Sequence, residues 1–154
     1  MMIPATREVF NKLNLEDPTN GREDLWMQTI EIWKKNPLFG IGAGSLMAVY
    51  ELSSHNVFLQ VLAEMGILGA AAYVLMLYFA FRDSYKSFKL ILADDALSLD
   101  EKINYEASLY MQVVFIVYSV FGNPLYGISF VLPYVFFVAQ LKSYSMYRRK
   151  QAQL

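Results

Sequence analysis

Apolar positions are spread unevenly along this chain. Residues 1–56 mix polar and apolar side chains, whereas nearly all the strongly apolar sequence lies in two stretches, 57–81 and 107–141. The first has no charge from Met65 to Phe81, and reading back to Val57 adds only Gln60 and Glu64. A helix rising about 1.5 Å per residue crosses a hydrocarbon core of about 30 Å in roughly 20–25 residues, so this stretch predicts a membrane span. The second stretch is also uncharged, but Gly122-Asn123-Pro124-Leu125-Tyr126-Gly127 interrupts it. A proline between two glycines marks a turn, because proline withholds a helix donor and cannot continue the ladder. The pattern therefore predicts spans at about 57–81, 105–121 and 128–147, the last running past Lys142 with its ammonium snorkelling to the interface.

A shorter, amphipathic helix is predicted ahead of the spans. Asn20 and Gly21 offer an N-cap, Glu23 and Asp24 fall in a first turn, Lys34 and Lys35 in a last turn, and Pro37 follows. These signals bracket a helix over about 22–36. Trp26, Ile30 and Trp33 recur at spacings of four and three, which lines one face with two indoles, to lie at a membrane interface or against the bundle. The expected fold is thus all-α: an integral membrane bundle of three transmembrane helices (57–154), preceded by an outer-face loop region (1–56) with its own helix.

Composition agrees with a membrane setting. The chain has 154 residues, 56% of them hydrophobic and 16% aromatic, with a mean hydropathy of +0.30, a poor fit to a soluble globule. Charge orients it. Arg82, Lys86, Lys89 and Lys102 follow the first span, and Lys142, Arg148, Arg149 and Lys150 follow the last, while the 122–127 turn and residues 36–56 carry no Lys or Arg. Basic loops tend to stay cytoplasmic, so residues 1–56 and the hairpin are expected outside, and the loop 82–104 and the C-terminus inside. The N-terminal residues lack the apolar core of a signal peptide, so either an upstream membrane portion exports 1–56 and the chain is a C-terminal fragment, or the orientation is the reverse. With no cysteine, disulfides are excluded.

Few residues of residues 1–64 carry chemistry. His55 is the only histidine and sits at the mouth of the first span, followed by Asn56, a natural cap. Arg22 lies in the first turn of the predicted helix, where free amides already favour an anion and a guanidinium adds a bidentate fork. Gly40, Gly42 and Gly44 make a tight backbone passage that could offer amides to a phosphate, but no strand precedes them and no Gly-Lys-Ser/Thr follows, so the P-loop and dinucleotide-binding patterns are excluded. Glu64, an ionisable residue inside a span, is expected either to face a polar cavity or to bond between helices. Gly66 and Ala70 form a small-xxx-small pair suited to close approach by another helix. Asp94 and Asp95 have no histidine or cysteine beside them and read as part of a solvated loop with helical ends.

Four segments occur in order: Gly21-Arg22-Glu23-Asp24-Leu25-Trp26, Asn36-Pro37-Leu38-Phe39-Gly40-Ile41-Gly42-Ala43-Gly44, His55-Asn56-Val57-Phe58-Leu59-Gln60 and Glu64-Met65-Gly66-Ile67-Leu68-Gly69. Together they resemble the C-terminal signature of the O-antigen ligase and polymerase family, strongly over about 20–81 and only in general character beyond. The resemblance implies a glycosyltransferase of the cytoplasmic (inner) membrane that moves a glycan from undecaprenyl diphosphate to a sugar hydroxyl on the outer face, with inversion and without a metal or cofactor. It implies catalytic roles for His55 and Arg22; substrate contacts are expected from Arg22 and, on the reading of the residues themselves, from Gly42, Gly44, Asn56 and Glu64. The implied partners are the lipid-linked glycan, the membrane and other polysaccharide assembly proteins or an upstream membrane half, and not nucleic acid. A further arginine of the family, at an upstream helix end, has no counterpart here. The competing reading is a non-catalytic, truncated or accessory membrane module that binds a lipid-linked glycan or a partner enzyme.

Overall fold

The computed structural model describes residues 21–151, and among them every regular element is helical. Helix α1 spans Arg22–Lys35, α2 Ser45–Tyr50, α3 Val57–Leu92, α4 Leu99–Phe121 and α5 Ile128–Gln151, with a 3-10 turn over Pro124–Tyr126. Helices α3, α4 and α5 pack against one another, and α1 and α2 lie against α3.

The bundle is apolar outside and partly polar within. Ser84, Ser87, Ser108, Gln112, Ser119 and Ser145 are buried, while Val74, Leu75, Tyr78 and Phe79 of α3, Val114 and Val117 of α4, and Leu132 and Phe136 of α5 are exposed. That inversion suits helices solvated by lipid, where small and hydroxylated residues let backbones approach and large apolar ones face the acyl chains. Between them Val57, Val61, Tyr73, Leu77, Phe115 and Tyr134 form the central core, with Phe115 and Tyr134 stacked at 4.3 Å between centroids.

Among the described residues α3 alone is both long and apolar enough to cross a membrane, so one of the three expected spans is shown. The reason lies in the sequence: α4 opens on Asp100, Glu101 and Lys102 and is uncharged only from Ala107, and α5 meets Lys142 well before its end. The connection expected over 82–104 is also mostly helix. Residues 82–92 continue α3 because Ser84, Ser87 and Ile91 recur on the face turned to the bundle, and α4 starts early at a capping box in which Ser98 and Glu101 satisfy each other's backbone amides. The hairpin falls where it was expected. Gly122 ends α4, the 3-10 turn carries Pro124, and α5 begins at Ile128.

Helix α3 is broken at Gly66, whose φ of 68° and ψ of −171° are not helical. A break frees carbonyls and amides that lipid cannot satisfy, and the 37–42 loop takes them up. Ile41 N–H donates to Ala63 O at 3.0 Å, Gly42 N–H to Glu64 O at 2.8 Å, and Ile67 N–H to Pro37 O at 2.9 Å. The close approach anticipated at Gly66 is therefore made by this loop and not by another helix. A Cβ on Gly66 would lie 2.2 Å from Leu38 O, and one on Gly40 would lie 2.3 Å from Glu64 C.

Candidate functional site

The segments singled out by sequence gather at one end of the bundle. Helix α1 starts at Gly21, left-handed at φ 77°; Asn20 lies outside the described residues. Its most buried residues are Thr29, whose hydroxyl donates to Leu25 O at 2.7 Å, and Ile32, which packs with Leu25, Trp33, Leu46 and Ala63. The buried face is thus rotated from the Trp26–Ile30–Trp33 stripe, which is only half buried. Both indoles instead serve as donors: Trp33 Nε1 to Pro37 O at 3.1 Å and Trp26 Nε1 to Ser54 O at 2.9 Å.

The second of these bonds positions the two residues of greatest chemical interest. Arg22 lies one turn before Trp26 on the same side of α1, since residues four apart are helix neighbours. Ser54, which Trp26 grips, immediately precedes His55. The 53–56 turn is fixed further by Ser54 Oγ, which donates to Asn56 O at 2.7 Å and accepts from Asn56 N–H at 3.2 Å. Asn56 caps α3, its Oδ1 accepting from Leu59 N–H at 3.1 Å. His55 is exposed and left-handed, with φ 49°, a conformation that is uncommon outside glycine though less so for His than for most residues. It is therefore not the cap residue; Asn56 is. The imidazole and the Arg22 guanidinium have no hydrogen-bond partner among the described residues. The groove at this end, between α1 and α2, is lined by Asp24, Gln28, Glu31, Lys35 and Tyr50 among others, and neither Arg22 nor His55 contributes to it.

Glu64 organises the ground beneath. It has no exposed surface, and four donors converge on its carboxylate: Gly44 N–H at 2.9 Å and Tyr126 O–H at 2.6 Å on Oε2, Leu46 N–H at 3.2 Å and Gln60 Nε2 at 3.3 Å on Oε1. One side chain thus joins α3, the start of α2 and the 122–127 hairpin. Of the two roles anticipated for it, bonding between elements is the one its contacts show. Burial, and then the bond to Glu64, push the Tyr126 hydroxyl above the usual tyrosine value, so it stays a donor. The Gly42 and Gly44 amides are both engaged inside the chain, with Glu64 O and Glu64 Oε2 respectively.

Sequence reasoning missed the hairpin's part in this end. Asn123 Nδ2 donates to Ser53 Oγ at 2.8 Å and to Gln60 Oε1 at 2.7 Å, which ties the hairpin to the turn that holds His55. Arg22, the 37–44 loop, His55 and the hairpin therefore occupy one end, whereas Arg82, Lys86, Lys142 and Arg149 gather at the other.

With this geometry in view, comparison with known proteins is decisive for one segment. Residues 5–74 match the family described as O-antigen ligase. The matched O-antigen ligase segment is just under half of the chain and takes in α1, the loop, His55 and the break at Gly66. No curated protein matches the chain, and no solved structure does. Residues 5–74 are thus similar to the O-antigen ligase family, and within the described residues α3 is long and apolar enough to cross a membrane.

Proposed function

We propose that this chain carries the outer-face half of a membrane glycosyltransferase of the polysaccharide polymerase or ligase type, acting as the C-terminal portion of that enzyme. The donor is a glycan on undecaprenyl diphosphate, the acceptor a sugar hydroxyl, and the reaction takes place at the outer face of the cytoplasmic membrane. The observation that carries this reading is the Trp26–Ser54 bond, which draws the Arg22 helix onto the turn bearing His55 inside the O-antigen ligase segment.

In the reaction the acceptor oxygen attacks the anomeric carbon, the bond from that carbon to the diphosphate oxygen breaks, and the configuration inverts. The acceptor's proton goes to a ring nitrogen of His55, acting as the general base. The departing diphosphate takes the bonding electrons, and the Arg22 guanidinium holds the resulting negative charge through a bidentate fork. Asn56 sets the start of α3 beside His55. Glu64, Gly42 and Gly44 serve from within, as positioning residues, because their polar atoms are already engaged by the chain.

One observation also fits a non-catalytic module: no third group orients the His55 ring among the described residues. Replacing His55 separates the two readings. His55→Gly is the cleanest variant, since glycine accepts φ 49° without the strain that alanine meets. Complementation of a strain lacking the gene should show glycan transfer abolished with protein abundance unchanged. Normal transfer by His55→Gly would leave only the binding-module reading.

A further inference from the structure

The end of the bundle opposite His55 holds a second polar feature that the proposed reaction does not use. A cavity of about 250 Å³ opens between α3 and α5, lined by Arg82, Lys86, Lys142 and Arg149, with Asp83, Ser145 and others. By liquid volume that is room for about eight waters, enough for a headgroup phosphate. Asp83 is already matched, by Arg82 at 2.9 Å and Lys142 at 3.0 Å. Lys86 and Arg149 have no carboxylate partner among the described residues, so the cavity keeps an excess of positive charge.

Its level relative to lipid is marked by aromatic residues. Exposed Tyr78, Phe79, Tyr85 and Tyr147 ring this part of the bundle, as tyrosines do at headgroup depth. The Arg82 guanidinium lies 4.7 Å over the Phe79 ring and the Lys89 ammonium 4.8 Å over the Tyr85 ring, so charges and aromatics share one layer. The apolar belt of α3 ends at Phe81, next to Arg82 on the cavity wall. A ligand reaching this cavity along the belt brings acyl chains with it.

We propose that this cavity binds the phosphate of an anionic phospholipid from the adjoining leaflet, with Lys86 and Arg149 as the principal contacts and Arg82 and Lys142 as a second pair shared with Asp83. Basic pockets between membrane helices recognise lipid phosphates in this way, each cation near the surface giving about fivefold in affinity. The inference is independent of whether His55 is catalytic.

The test is a lipid titration of the full chain in detergent, followed by native mass spectrometry, with phosphatidylglycerol, phosphatidylcholine of the same acyl chains, and inorganic phosphate as separate probes. Phosphatidylglycerol should bind, and the Lys86→Ala/Arg149→Ala variant should weaken it by about 30-fold. Lys89→Ala/Lys150→Ala, which removes equal charge outside the cavity, should lose much less. Asp83→Asn, which frees Arg82 and Lys142, should tighten binding by about fivefold. Equal losses in the two double variants, weaker binding by Asp83→Asn, or equal binding of phosphatidylcholine would each overturn the site. Inorganic phosphate binding as well as phosphatidylglycerol would refute the lipid as its source.

Discussion

Replacing Glu64 by glutamine tests the organisation of the His55 end of the bundle at its centre. All four neighbours of the carboxylate donate, so both oxygens must accept, and glutamine supplies one oxygen and one NH2. If the NH2 takes the Oε2 position, the Tyr126 hydroxyl can rotate to accept, but the Gly44 amide is left facing another donor. If it takes the Oε1 position, Gln60 must flip, which breaks its bond from Asn123, and the Leu46 amide is orphaned. Either way one buried backbone N–H loses its acceptor, at about 1–3 kcal/mol. At about 2–4 °C per kcal/mol for a chain of this size, the melting temperature should fall by roughly 2–12 °C. Glu64→Ala orphans both amides and should fall further. The assay is built in, because both tryptophans, Trp26 and Trp33, sit at this end and bond to it through their indoles. Tryptophan emission during a thermal ramp in detergent therefore reports this region rather than the whole bundle. A Glu64→Gln protein that melts within about 1 °C of the wild type, with unchanged emission, would refute the reasoning.

Gly66→Ala places a Cβ 2.2 Å from Leu38 O at φ 68°, where backbone and not a flexible side chain must move; loss of folded protein in detergent, by well over about 2 kcal/mol, is expected, and a stable variant would show that the break can relax. Tyr126→Phe removes one of the four donors at a cost of about 1 kcal/mol, and combined with Glu64→Gln it should cost less than the sum, as a double-mutant cycle on melting would show. Asn56→Ala removes the cap of α3 and should cost about 1 kcal/mol in the same melt. At the opposite end, the hydrogen bond from Tyr144, one from Ala96 N–H and the charge of Arg148 hold the Asp94 carboxyl below its ordinary 3.8. A depressed carboxylate contributes stability above its unfolded pKa and loses it as pH falls through the folded value. Acid unfolding should accordingly shift to higher pH in Tyr144→Phe, and not at all in Asp94→Asn/Tyr144→Phe relative to Asp94→Asn.

How much of this was legible in the residues depends on how local each signal is. Charge and cap positions bracketed α1 within a residue of its observed end at Lys35, and the Gly-Asn-Pro-Leu-Tyr-Gly run marked the hairpin. The grouping of Arg22, the glycine loop and His55 at one end followed from topology alone. What stayed hidden depends on long-range partners. A lone glycine in an apolar run reads as a packing residue, and nothing near Gly66 announces a loop some 25 residues earlier that will satisfy its broken backbone. The donors around Glu64 come from three separate segments, two of them seen only as backbone amides, which no side-chain pattern encodes. The early start of α4 was legible after all in Ser98-Leu99-Asp100-Glu101, a capping-box spacing that the count of charges obscured. Of the three expected spans the structure shows one, for a physical reason: α4 and α5, at 23 and 24 residues, are long enough, but Asp100, Glu101 and Lys102 at the start of α4 and Lys142, Arg148, Arg149 and Lys150 late in α5 dilute their apolar character.

The break in α3 sets an order of assembly. A newly made helix with no loop beside it has every reason to run straight through Gly66, since bending would strand Ala63 O, Glu64 O and the Ile67 amide. Only when residues 37–42 arrive can the bend be held, and their arrival carries α1, through the Trp33 and Trp26 indoles, into place above the turn at Ser54. Maturation of the bend and completion of the Arg22–His55 neighbourhood are then a single event, so a protein caught with a straight α3 would also be one whose α1 has yet to dock.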